Sequence, residues 1–442
     1  MPSNASPATP HRRIVVVGGG AGGLELASRL GRRLGRRRKA EITLIDSAWT
    51  HVWKPLLHEV AAGTLDTGEH QLEYLAQASH RHFRFRLGRV DGLDRAGKRV
   101  WVAPSCDEAG HEVTPRRSFP YDLLVFAVGS ISNDFGVPGA TQHCLFLDTT
   151  EQAQAFQHHL LQRLLHAQTH GRPDAPERLD IAIVGGGATG IELAAQLHTA
   201  TRQMAAYGLD EIEPDRDVHI TLVEAAPRIA AALPPRLSAA VQAQLEGIGV
   251  EVHSGEQVVE VTATELRTAS GRTIPAAIKV WCAGIKAPEF LDQLDGLETT
   301  PRHQLQVNGR LQTTRDPDVY ALGDCAACPI PGDGLVPPRA QAAHQQAAYL
   351  GDALARRLRA RPVAEYRYRD YGSLITLGKY STVGSLMGHL TGSVMVSGFL
   401  ARVMYLSLHQ MHLVALHGWT RTLLLNLANL LRRGVQPQIK LH

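Results

Sequence analysis

The sequence lacks the marks of several classes of protein. Its 442 residues include only five cysteines, and their irregular spacing argues against a disulfide-stabilised secreted domain and favours a reducing cytosol. Aromatic residues make up 5% and the formal net charge is +4, whereas a nucleic-acid-binding surface combines dense positive charge with aromatic side chains. No apolar run reaches about 18 residues, so we expect no membrane-spanning helix. Attachment to a membrane surface stays open.

The first residues, MPSNASPATPH, also lack the basic start and apolar run of a signal peptide. We expect residues 1–10 to be a disordered leader. The chain as a whole is 44% hydrophobic and 20% charged, as in a globular protein, and its length predicts two to three domains.

The strongest motif is a glycine turn that follows an apolar strand at residues 14–17. Gly18, Gly20 and Gly23 have GxGxxG spacing, and a helical pattern comes next. Glycine lets backbone N–H groups approach a pyrophosphate and lets the helix pack closely on the strand. The following strand ends in Asp46, the carboxylate expected at the cofactor's ribose. These features predict a dinucleotide-binding unit.

Three later stretches are interpreted as parts of the same site, which we assign to FAD. A loop expected to fold over the cofactor contains two residues predicted to face the flavin edge, with ordinary loop packing as the alternative for each. A buried strand at residues 121–130 ends in a glycine, like the ATG-type strand of two-nucleotide flavoproteins. Another strand leads into a Gly-Asp pair, whose carboxylate can hold the ribityl or pyrophosphate part of FAD. These stretches supply the predicted FAD-binding residues Lys54, Pro55, Gly129, Gly323 and Asp324.

The whole strand–turn–helix pattern repeats at Gly185, Gly187 and Gly190, which implies a second dinucleotide. The matching carboxylate is Glu224, at the end of another strand. It would accept hydrogen bonds from both ribose hydroxyls and repel a 2′-phosphate, so we predict NADH rather than NADPH. A later strand ends in Cys-Ala-Gly, and we predict that Gly284 contacts the nicotinamide or the adenine.

Two predicted helices carry polar residues, and each of these residues has two interpretations on physical grounds. Glu192 lies in the first turn after the second glycine motif, where a carboxylate either complements the helix dipole or approaches the nicotinamide. Gln341 and Gln345 are four residues apart and share a helix face. Their amides are either solvated or line a pocket near the flavin. No metal site is predicted.

The tail differs in pattern from the rest of the chain. Residues 371–390 alternate like a hairpin, with Lys379 between its strands, and a helical pattern begins at Phe399. The leucines of the last segment face several directions and are flanked by arginines. That composition favours a helix lying in a bilayer surface, with a dimer interface as the alternative.

Taken together, these stretches resemble the type II NADH dehydrogenases, the single-chain, non-proton-pumping NADH:quinone oxidoreductases of bacterial membranes. The resemblance extends over nearly the whole chain. It is carried by the segments VVVGGGAGGLELA, KPLLHEVAAG, IVGGGATGIELA, YALGDCAA, AQAAHQQ, LGKYSTVG and SLHQMHLVALHG.

The resemblance implies an α/β protein with two Rossmann-type, glutathione-reductase-like domains for FAD and NADH. It adds a C-terminal membrane-anchoring domain with amphipathic helices and, usually, a homodimer. It also implies that Gln341 and Gln345 lie at the quinone pocket, and that Glu192 and Lys379 lie near the flavin.

We therefore predict a discontinuous FAD-binding domain at residues 11–150 and 291–370, with an NADH-binding domain at 151–290 and the membrane-anchoring domain at 371–442. The sequence departs from the family pattern in three features, none of which touches a residue on which the assignment depends. They are an insertion at residues 198–217 before Glu224, Val128 in the ATG-like strand, and the Cys325–Cys328 pair.

The predicted activity is FAD-dependent oxidation of NADH with two-electron reduction of a membrane quinone to quinol. It would feed a respiratory chain without proton pumping, from the cytoplasmic face of the bacterial inner membrane, and no nucleic acid is expected as a partner. One alternative is an enzyme like sulfide:quinone oxidoreductase, against which the second glycine turn with Glu224 argues. The other is an NADH-binding flavoprotein sensor with negligible turnover.

Overall fold

The computed structural model describes most of the chain. The described residues are 12–107, 109–170, 178–209, 211–332, 334–377, 382–388, 392–397 and 409–432. The predicted leader at residues 1–10, Lys379 and the predicted start of the tail helix at Phe399 lie outside them. The chain divides into two compact units. The first unit comprises the chain up to Trp53 with Gln71–Ile131 and Lys286–Arg369, and the second comprises Lys54–His70, Ser132–Ile285 and the chain from Asp370.

The first unit is built on a parallel sheet of five strands. The central strand begins with two arginines and continues with four apolar residues, Ile14 to Val17. These four are at most 3% exposed, as expected for a strand covered on both faces. The glycine turn leads from it into the helix Ala21–Leu30, which packs against the helix Ala340–Arg357. In spatial order the strands are Val319–Ala321, Leu123–Phe126, Arg12–Val17, Ala40–Asp46 and Arg84–Leu87.

The remaining elements of the first unit are short. One three-stranded antiparallel sheet has the order Arg117–Pro120, Arg99–Val102 and Val90–Asp94. The other elements are the strands Thr50–His51, Leu72–Glu73, Ser105–Cys106, Glu112–Thr114, Leu305–Gln306 and Ala326–Ala327, the helix Tyr74–Arg81, the π-helix Gly31–Gly35 and the 3-10 helices Glu289–Gln293 and Gly323–Cys325. The strands Ile131–Ser132 and Ile285–Lys286 include the residues at which the chain passes between units.

The second unit repeats the topology of the first. Its parallel sheet also has five strands with the first strand of the motif at the centre. In spatial order they are Leu145–Phe146, Ile278–Trp281, Leu179–Val184, Val218–Glu224 and Glu251–Ser254. The α/β fold with two parallel, Rossmann-type sheets is therefore confirmed.

Helices and a small antiparallel sheet complete the body of the second unit. The helix after its glycine turn, Ala188–Ala206, is 19 residues long. The equivalent helix Ala21–Leu30 has 10 residues and continues into the five-residue π-helix Gly31–Gly35. The sequence insertion before Glu224 thus lengthens this helix and adds the short helix Pro214–Asp217. The other elements are the helices Leu57–Ala61, Thr67–His70, Ala140–His143, Thr150–His170 and Pro235–Gly247, the 3-10 helix Lys54–Leu56, and the strands Val258–Val261, Glu265–Thr268 and Thr273–Pro275.

The tail belongs to the second unit. The predicted hairpin is formed by Ser373–Thr376 and Thr382–Gly388, and a third antiparallel strand, Gly392–Ser397, extends it. Residues 409–417 are helical, and the helix Trp419–Arg432 follows. Within the described parts of the chain, no helix is long and apolar enough to cross a membrane.

Candidate functional site

The first glycine turn requires glycine at two of the three positions that the motif predicts, Gly18 and Gly23. Gly18 has a φ of +99°, and a Cβ there would lie 2.5 Å from the Ala127 carbonyl oxygen. A Cβ on Gly23 would lie 1.9 Å from the Gly18 carbonyl oxygen. Gly20 is exposed at the start of the helix, and a Cβ there would meet no heavy atom within 4 Å. The backbone at Gly20 is therefore open to a ligand at a helix N-terminus, where the helix dipole favours an anion.

Asp46 is bound to this turn at the carboxyl end of its strand. Its carboxylate accepts hydrogen bonds from the Gly19 N–H at 2.5 Å and the Ala48 N–H at 2.8 Å. Burial raises the pKa of Asp46, although these backbone hydrogen bonds act in the opposite direction. Tyr74 is a further residue of the site that the sequence analysis missed, since its hydroxyl donates to the Gly19 carbonyl at 2.8 Å.

The Gly323–Asp324 pair lies in the same unit, directly after the edge strand Val319–Ala321. Gly323 has a φ of +73°, and its N–H donates to the Gln346 Oε1 at 2.6 Å. The Asp324 Oδ2 accepts the Ser130 hydroxyl at 2.8 Å. Gln346 and Ser130 were also missed as site residues. Both lie in segments noted in the sequence, but nothing in those segments indicates a pairing with Gly323 or Asp324, which are 23 and 194 positions away.

The other three predicted FAD ligands differ in position, since one lies in the first unit and two lie in the second. Gly129 has a φ of +70° and lies directly before Ser130 in the first unit. Lys54 and Pro55 are exposed residues of the second unit. The Lys54 ammonium contacts the Asp148 carboxylate at 3.0 Å. A role for Lys54 and Pro55 at the flavin edge stays a prediction.

The second glycine turn repeats the geometry of the first. Gly185 has a φ of +109°, and a Cβ on Gly190 would lie 2.0 Å from the Gly185 carbonyl oxygen. Gly187 is exposed, and a Cβ there would meet no heavy atom within 4 Å. Glu224 accepts hydrogen bonds from the Gly186 N–H at 2.5 Å and the Ala226 N–H at 2.7 Å. The structure thus brings together the glycines and the carboxylate predicted for NADH.

Gly284 lies at the same edge of the second sheet. It has a φ of +64°, and the neighbouring Ala283 is in close contact with the glycine turn, since a Cβ on Gly185 would lie 2.7 Å from the Ala283 Cα. Gly284 is therefore next to the turn that the sequence assigns to the pyrophosphate of NADH.

Glu192 is 6% exposed on the helix Ala188–Ala206, next to a buried histidine. The His58 Nδ1 is 3.7 Å from the Glu192 Oε2. His58 is 2% exposed, and burial lowers its pKa to about 4, so its imidazole is neutral near pH 7. Within the described chain its Nε2 is buried without a hydrogen-bond partner. His58 belongs to the KPLLHEVAAG segment, but no motif marked it as a site residue.

The two predicted quinone-site glutamines lie on the helix Ala340–Arg357 of the first unit. Both side chains are half-buried. The Gln345 amide donates to the Arg369 carbonyl at 2.8 Å and accepts the Arg369 N–H at 3.0 Å, so it ties this helix to the chain at residue 369. Lys379 is outside the described residues, and its predicted role stays a prediction.

The Cys325–Cys328 pair does not form a reactive centre in the described structure. Cys325 and Cys328 are both buried and not joined in a disulfide. Burial raises the pKa of both thiols to about 11, which keeps them protonated and weakly nucleophilic near pH 7. In the part of the chain that the structure describes, no group of three His, Cys, Asp or Glu side chains is arranged to hold a metal ion.

Comparison with known proteins identifies the family. The sequence model of the family described as pyridine nucleotide-disulphide oxidoreductase matches residues 12–347. The type II NADH:quinone oxidoreductase of Haemophilus influenzae is 40% identical over an alignment of 444 positions. The alignment covers 98% of this chain and 100% of that protein. The type II NADH:quinone oxidoreductase Ndh of Mycobacterium tuberculosis is 29% identical over 435 residues, or 95% of this chain and 88% of that protein.

A solved structure agrees with this fold. The structure of NDH2 from Plasmodium falciparum in complex with NADH covers 97% of this chain and 100% of its own, with a TM-score of 0.78 and 16% identity. The match of the family model and the 40% identity to the Haemophilus influenzae enzyme show that the chain belongs to the pyridine nucleotide-disulphide oxidoreductases. Within that family it is one of the type II NADH:quinone oxidoreductases, as the resemblance of its motifs implied.

Proposed function

We propose that this enzyme binds FAD in the first unit and NADH in the second, and that it uses NADH to reduce a quinone to quinol. The observation that carries the proposal is the repeated site, in which a glycine turn at a helix N-terminus is joined to a carboxylate at the end of the next strand. When bound, FAD would supply the redox chemistry, taking a hydride from NADH and giving up two electrons to the quinone, which also takes up two protons, one of them from solvent. The protein contributes binding, orientation and electrostatics.

The first unit fits FAD. A Cβ on Gly18 or Gly23 would meet backbone oxygen atoms, while the backbone at Gly20 is open. Exposed N–H groups at the start of a helix bind a pyrophosphate, and Asp46 is available to the ribose hydroxyls. Asp324 supplies a second carboxylate for the hydroxyls of the ribityl chain.

The second unit fits NADH better than NADPH. Glu224 is already bonded to the second glycine turn through the Gly186 N–H. A carboxylate in that place accepts hydrogen bonds from ribose hydroxyls and repels the extra phosphate of NADPH. Glu192 lies on the helix Ala188–Ala206 that follows this turn, and the neutral His58 lies on the helix Leu57–Ala61 packed against it. We propose that Glu192 orients the nicotinamide or assists proton movement.

We propose that the quinone site involves Gln341 and Gln345, with Lys379 stabilising negative charge on the reduced flavin or quinone. The test is to replace Gln341 by leucine and to measure two half-reactions separately. NADH should still bleach the flavin of Gln341→Leu, while reoxidation of that flavin by a soluble quinone should slow about tenfold or more, as expected for loss of a substrate hydrogen bond.

Gln345→Leu needs a stability control, because Gln345 also holds the Arg369 backbone. A matched comparison is Gln312→Leu, since the Gln312 amide likewise donates to a backbone carbonyl, that of Pro317, at 2.9 Å. Quinone reduction that is unchanged in both Gln341→Leu and Gln345→Leu would place the quinone elsewhere.

Steady-state NADH oxidation with and without a soluble quinone tests the activity as a whole. Quinone-dependent turnover is expected. NADH binding without turnover would instead indicate a redox sensor. Reduction of the flavin by sulfide rather than NADH would indicate a sulfide:quinone oxidoreductase, for which the buried, protonated Cys325 and Cys328 are poor nucleophiles.

We also propose that the C-terminal helix Trp419–Arg432 lies in a membrane surface. Trp419 is 80% exposed and Leu423 is 71% exposed, although both side chains are apolar. Other leucines of this helix share that exposure, namely Leu424, Leu425, Leu427 and Leu431. Burial of each leucine in lipid would contribute about 1.5–3 kcal/mol before entropy losses.

Vesicle sedimentation tests this attachment. The double variant Leu423→Ser, Leu427→Ser should bind vesicles that contain anionic lipid at least tenfold more weakly than the wild type. Leu165→Ser is the matched control, because Leu165 is a 52% exposed leucine on another helix of the same unit. Equal binding of all three proteins would contradict the attachment.

The setting of the enzyme follows from the same proposal. It would act at the cytoplasmic face of the bacterial inner membrane, deliver electrons to a respiratory chain and pump no protons, because the proposed reaction needs no path across the bilayer. We further propose a homodimer, which light scattering of the detergent-solubilised protein would test. The domain division at residues 150, 290 and 370 also stays part of this proposal.

A further inference from the structure

An exposed aromatic residue lies at the edge of the second sheet, outside every motif described above. Phe135 is 64% exposed and has a φ of +52°, a conformation that favours glycine or asparagine over a bulky side chain. A strained residue whose side chain is not buried gains little from packing. Such outliers are a reason to look for a function.

The loop that carries Phe135 is fixed to the end of the strand Ile278–Trp281. The Trp281 Nε1 donates to the Asn133 carbonyl at 2.8 Å, and the Asn133 N–H donates to the Gly284 carbonyl at 3.3 Å. Within the loop, the Phe135 N–H donates to the Asn133 Oδ1 at 3.0 Å. The backbone around Phe135 is thus held by several hydrogen bonds.

The ring of Phe135 lies directly against Gly284. A Cβ on Gly284 would be 2.3 Å from the Phe135 Cζ, so only glycine leaves space for the ring there. The preceding residue, Ala283, contacts Gly185 in the second glycine turn. Phe135, Gly284 and the glycine turn therefore form a continuous surface at the carboxyl edge of the sheet.

The strand order indicates which half of a dinucleotide this surface would meet. Val218–Glu224, which ends in the ribose carboxylate, is on one side of the central strand Leu179–Val184, and Ile278–Trp281 is on the other. In such sheets the dinucleotide crosses the carboxyl edge with its pyrophosphate at the glycine turn. If the adenosine ribose binds Glu224, the nicotinamide half extends toward Trp281, Gly284 and Phe135.

We infer that the exposed face of Phe135 contacts the nicotinamide riboside half of NADH and helps to hold it. The inference rests on the proposed function, because it assumes that the second unit binds NADH. An aromatic ring offers a flat apolar surface to a nucleotide ring or ribose, and such contacts add measurably to affinity. The left-handed backbone at Phe135 then serves to hold the ring on Gly284.

Calorimetric titration of the oxidised, FAD-loaded enzyme with NAD⁺ and with ADP tests the inference without turnover. ADP carries the adenosine and two phosphates but lacks the nicotinamide riboside. Phe135→Asn removes the ring and suits the positive φ, whereas Phe135→Tyr keeps the ring. Phe135→Asn should raise the Kd for NAD⁺ about three- to tenfold and leave the Kd for ADP unchanged, and Phe135→Tyr should change neither.

A second variant separates a local from a general effect. Tyr207 is a 52% exposed aromatic residue at the opposite end of the helix Ala188–Ala206, roughly 28 Å from the glycine turn by helix geometry. Tyr207→Asn should leave both Kd values unchanged. An unchanged Kd for NAD⁺ in Phe135→Asn, or an equal loss for NAD⁺ and ADP, would overturn the inference.

The same titrations distinguish this result from failure of the proposed function. Glu224→Gln should weaken NAD⁺ and ADP alike, because both contain the adenosine ribose. Absence of NAD⁺ binding by the wild type would overturn the NADH assignment itself. Normal binding by the wild type with no effect of Phe135→Asn would overturn only the role of Phe135.

Discussion

The two glycine turns have the same backbone plan but different neighbours. In the first unit Gly19 lies against Tyr74, whose hydroxyl would be 2.4 Å from a Cβ at that position. In the second unit the equivalent Gly186 lies against Ile229, whose Cγ2 would be 2.8 Å from a Cβ. The glycines and the carboxylate are shared because both ligands contain a pyrophosphate and an adenosine ribose. The neighbours differ, which gives each unit contacts that its counterpart does not have.

The largest expected effects come from the third glycine of each turn. Gly23→Ala and Gly190→Ala would each bring a Cβ to about 2 Å from a backbone oxygen. The turn must open to relieve this clash, which costs about 1–3 kcal/mol or more in free energy. Gly23→Ala should purify with little flavin. Gly190→Ala should keep its flavin, but NADH should reduce that flavin at least tenfold more slowly. Flavin absorbance and anaerobic stopped-flow reduction measure the two outcomes.

Gly247→Ala is the control for these variants. A Cβ at Gly247 would meet no heavy atom within 4 Å, so this substitution should change neither flavin content nor reduction by NADH. If Gly190→Ala lost its flavin and Gly23→Ala kept it, the assignment of the two ligands to the two units would be reversed.

An effect of comparable size is expected from the two carboxylates. Glu224→Gln should lower kcat/KM for NADH about ten- to hundredfold, because hydrogen bonds to a charged group are worth about 1.5–3 kcal/mol. It should affect NADPH less, since the repulsion of the 2′-phosphate is also removed. Asp46→Asn should reduce FAD retention and leave the NADPH to NADH ratio unchanged. An unchanged ratio in Glu224→Gln would locate the ribose contact elsewhere.

The smallest effect is expected from the hydroxyl that is specific to the first turn. Tyr74→Phe removes the donor to the Gly19 carbonyl but keeps the ring that stacks on Phe85 with centroids 5.0 Å apart. A net loss of about 1 kcal/mol predicts roughly fivefold weaker FAD binding and an unchanged KM for NADH. Equilibrium dialysis of flavin, followed by NADH titration of the reloaded enzyme, checks both. An increased KM with normal FAD binding would contradict the comparison.

The elements whose signal is local could be predicted from the sequence. Glycine spacing, the apolar strand before it and the carboxylate at the next strand end follow from a single βαβ unit, and the repeat of that unit predicted both sheets. Asp46 and Glu224 are bonded to the turns in the same way, which their motif implied. The third strand of the tail, Gly392–Ser397, was missed, because an alternating pattern does not specify how many strands join.

Contacts between residues that are far apart in the sequence could not be predicted in this way. Tyr74 meets Gly19 across 55 positions, and Ser130 meets Asp324 across 194. Such pairs are set by the packing of whole elements, and a single tyrosine or serine carries no periodic signal. His58 is a further case, since its burial beside Glu192 depends on how the helix Leu57–Ala61 packs. The sequence around a histidine does not show whether its side chain is buried or solvated.

The hydrogen bonds of Glu224 also limit how many acceptor positions its carboxylate has left for the ribose of a nucleotide. An ionised carboxylate offers about four lone-pair positions, and here each oxygen already accepts one backbone N–H, from Gly186 and Ala226. One position on each oxygen is left, which matches the two hydroxyl donors of an unmodified adenosine ribose. A ribose with a 2′-phosphate has one hydroxyl fewer to donate and would leave one acceptor unmatched. Preference between the two nucleotides is thus a matter of donors and acceptors as well as of charge.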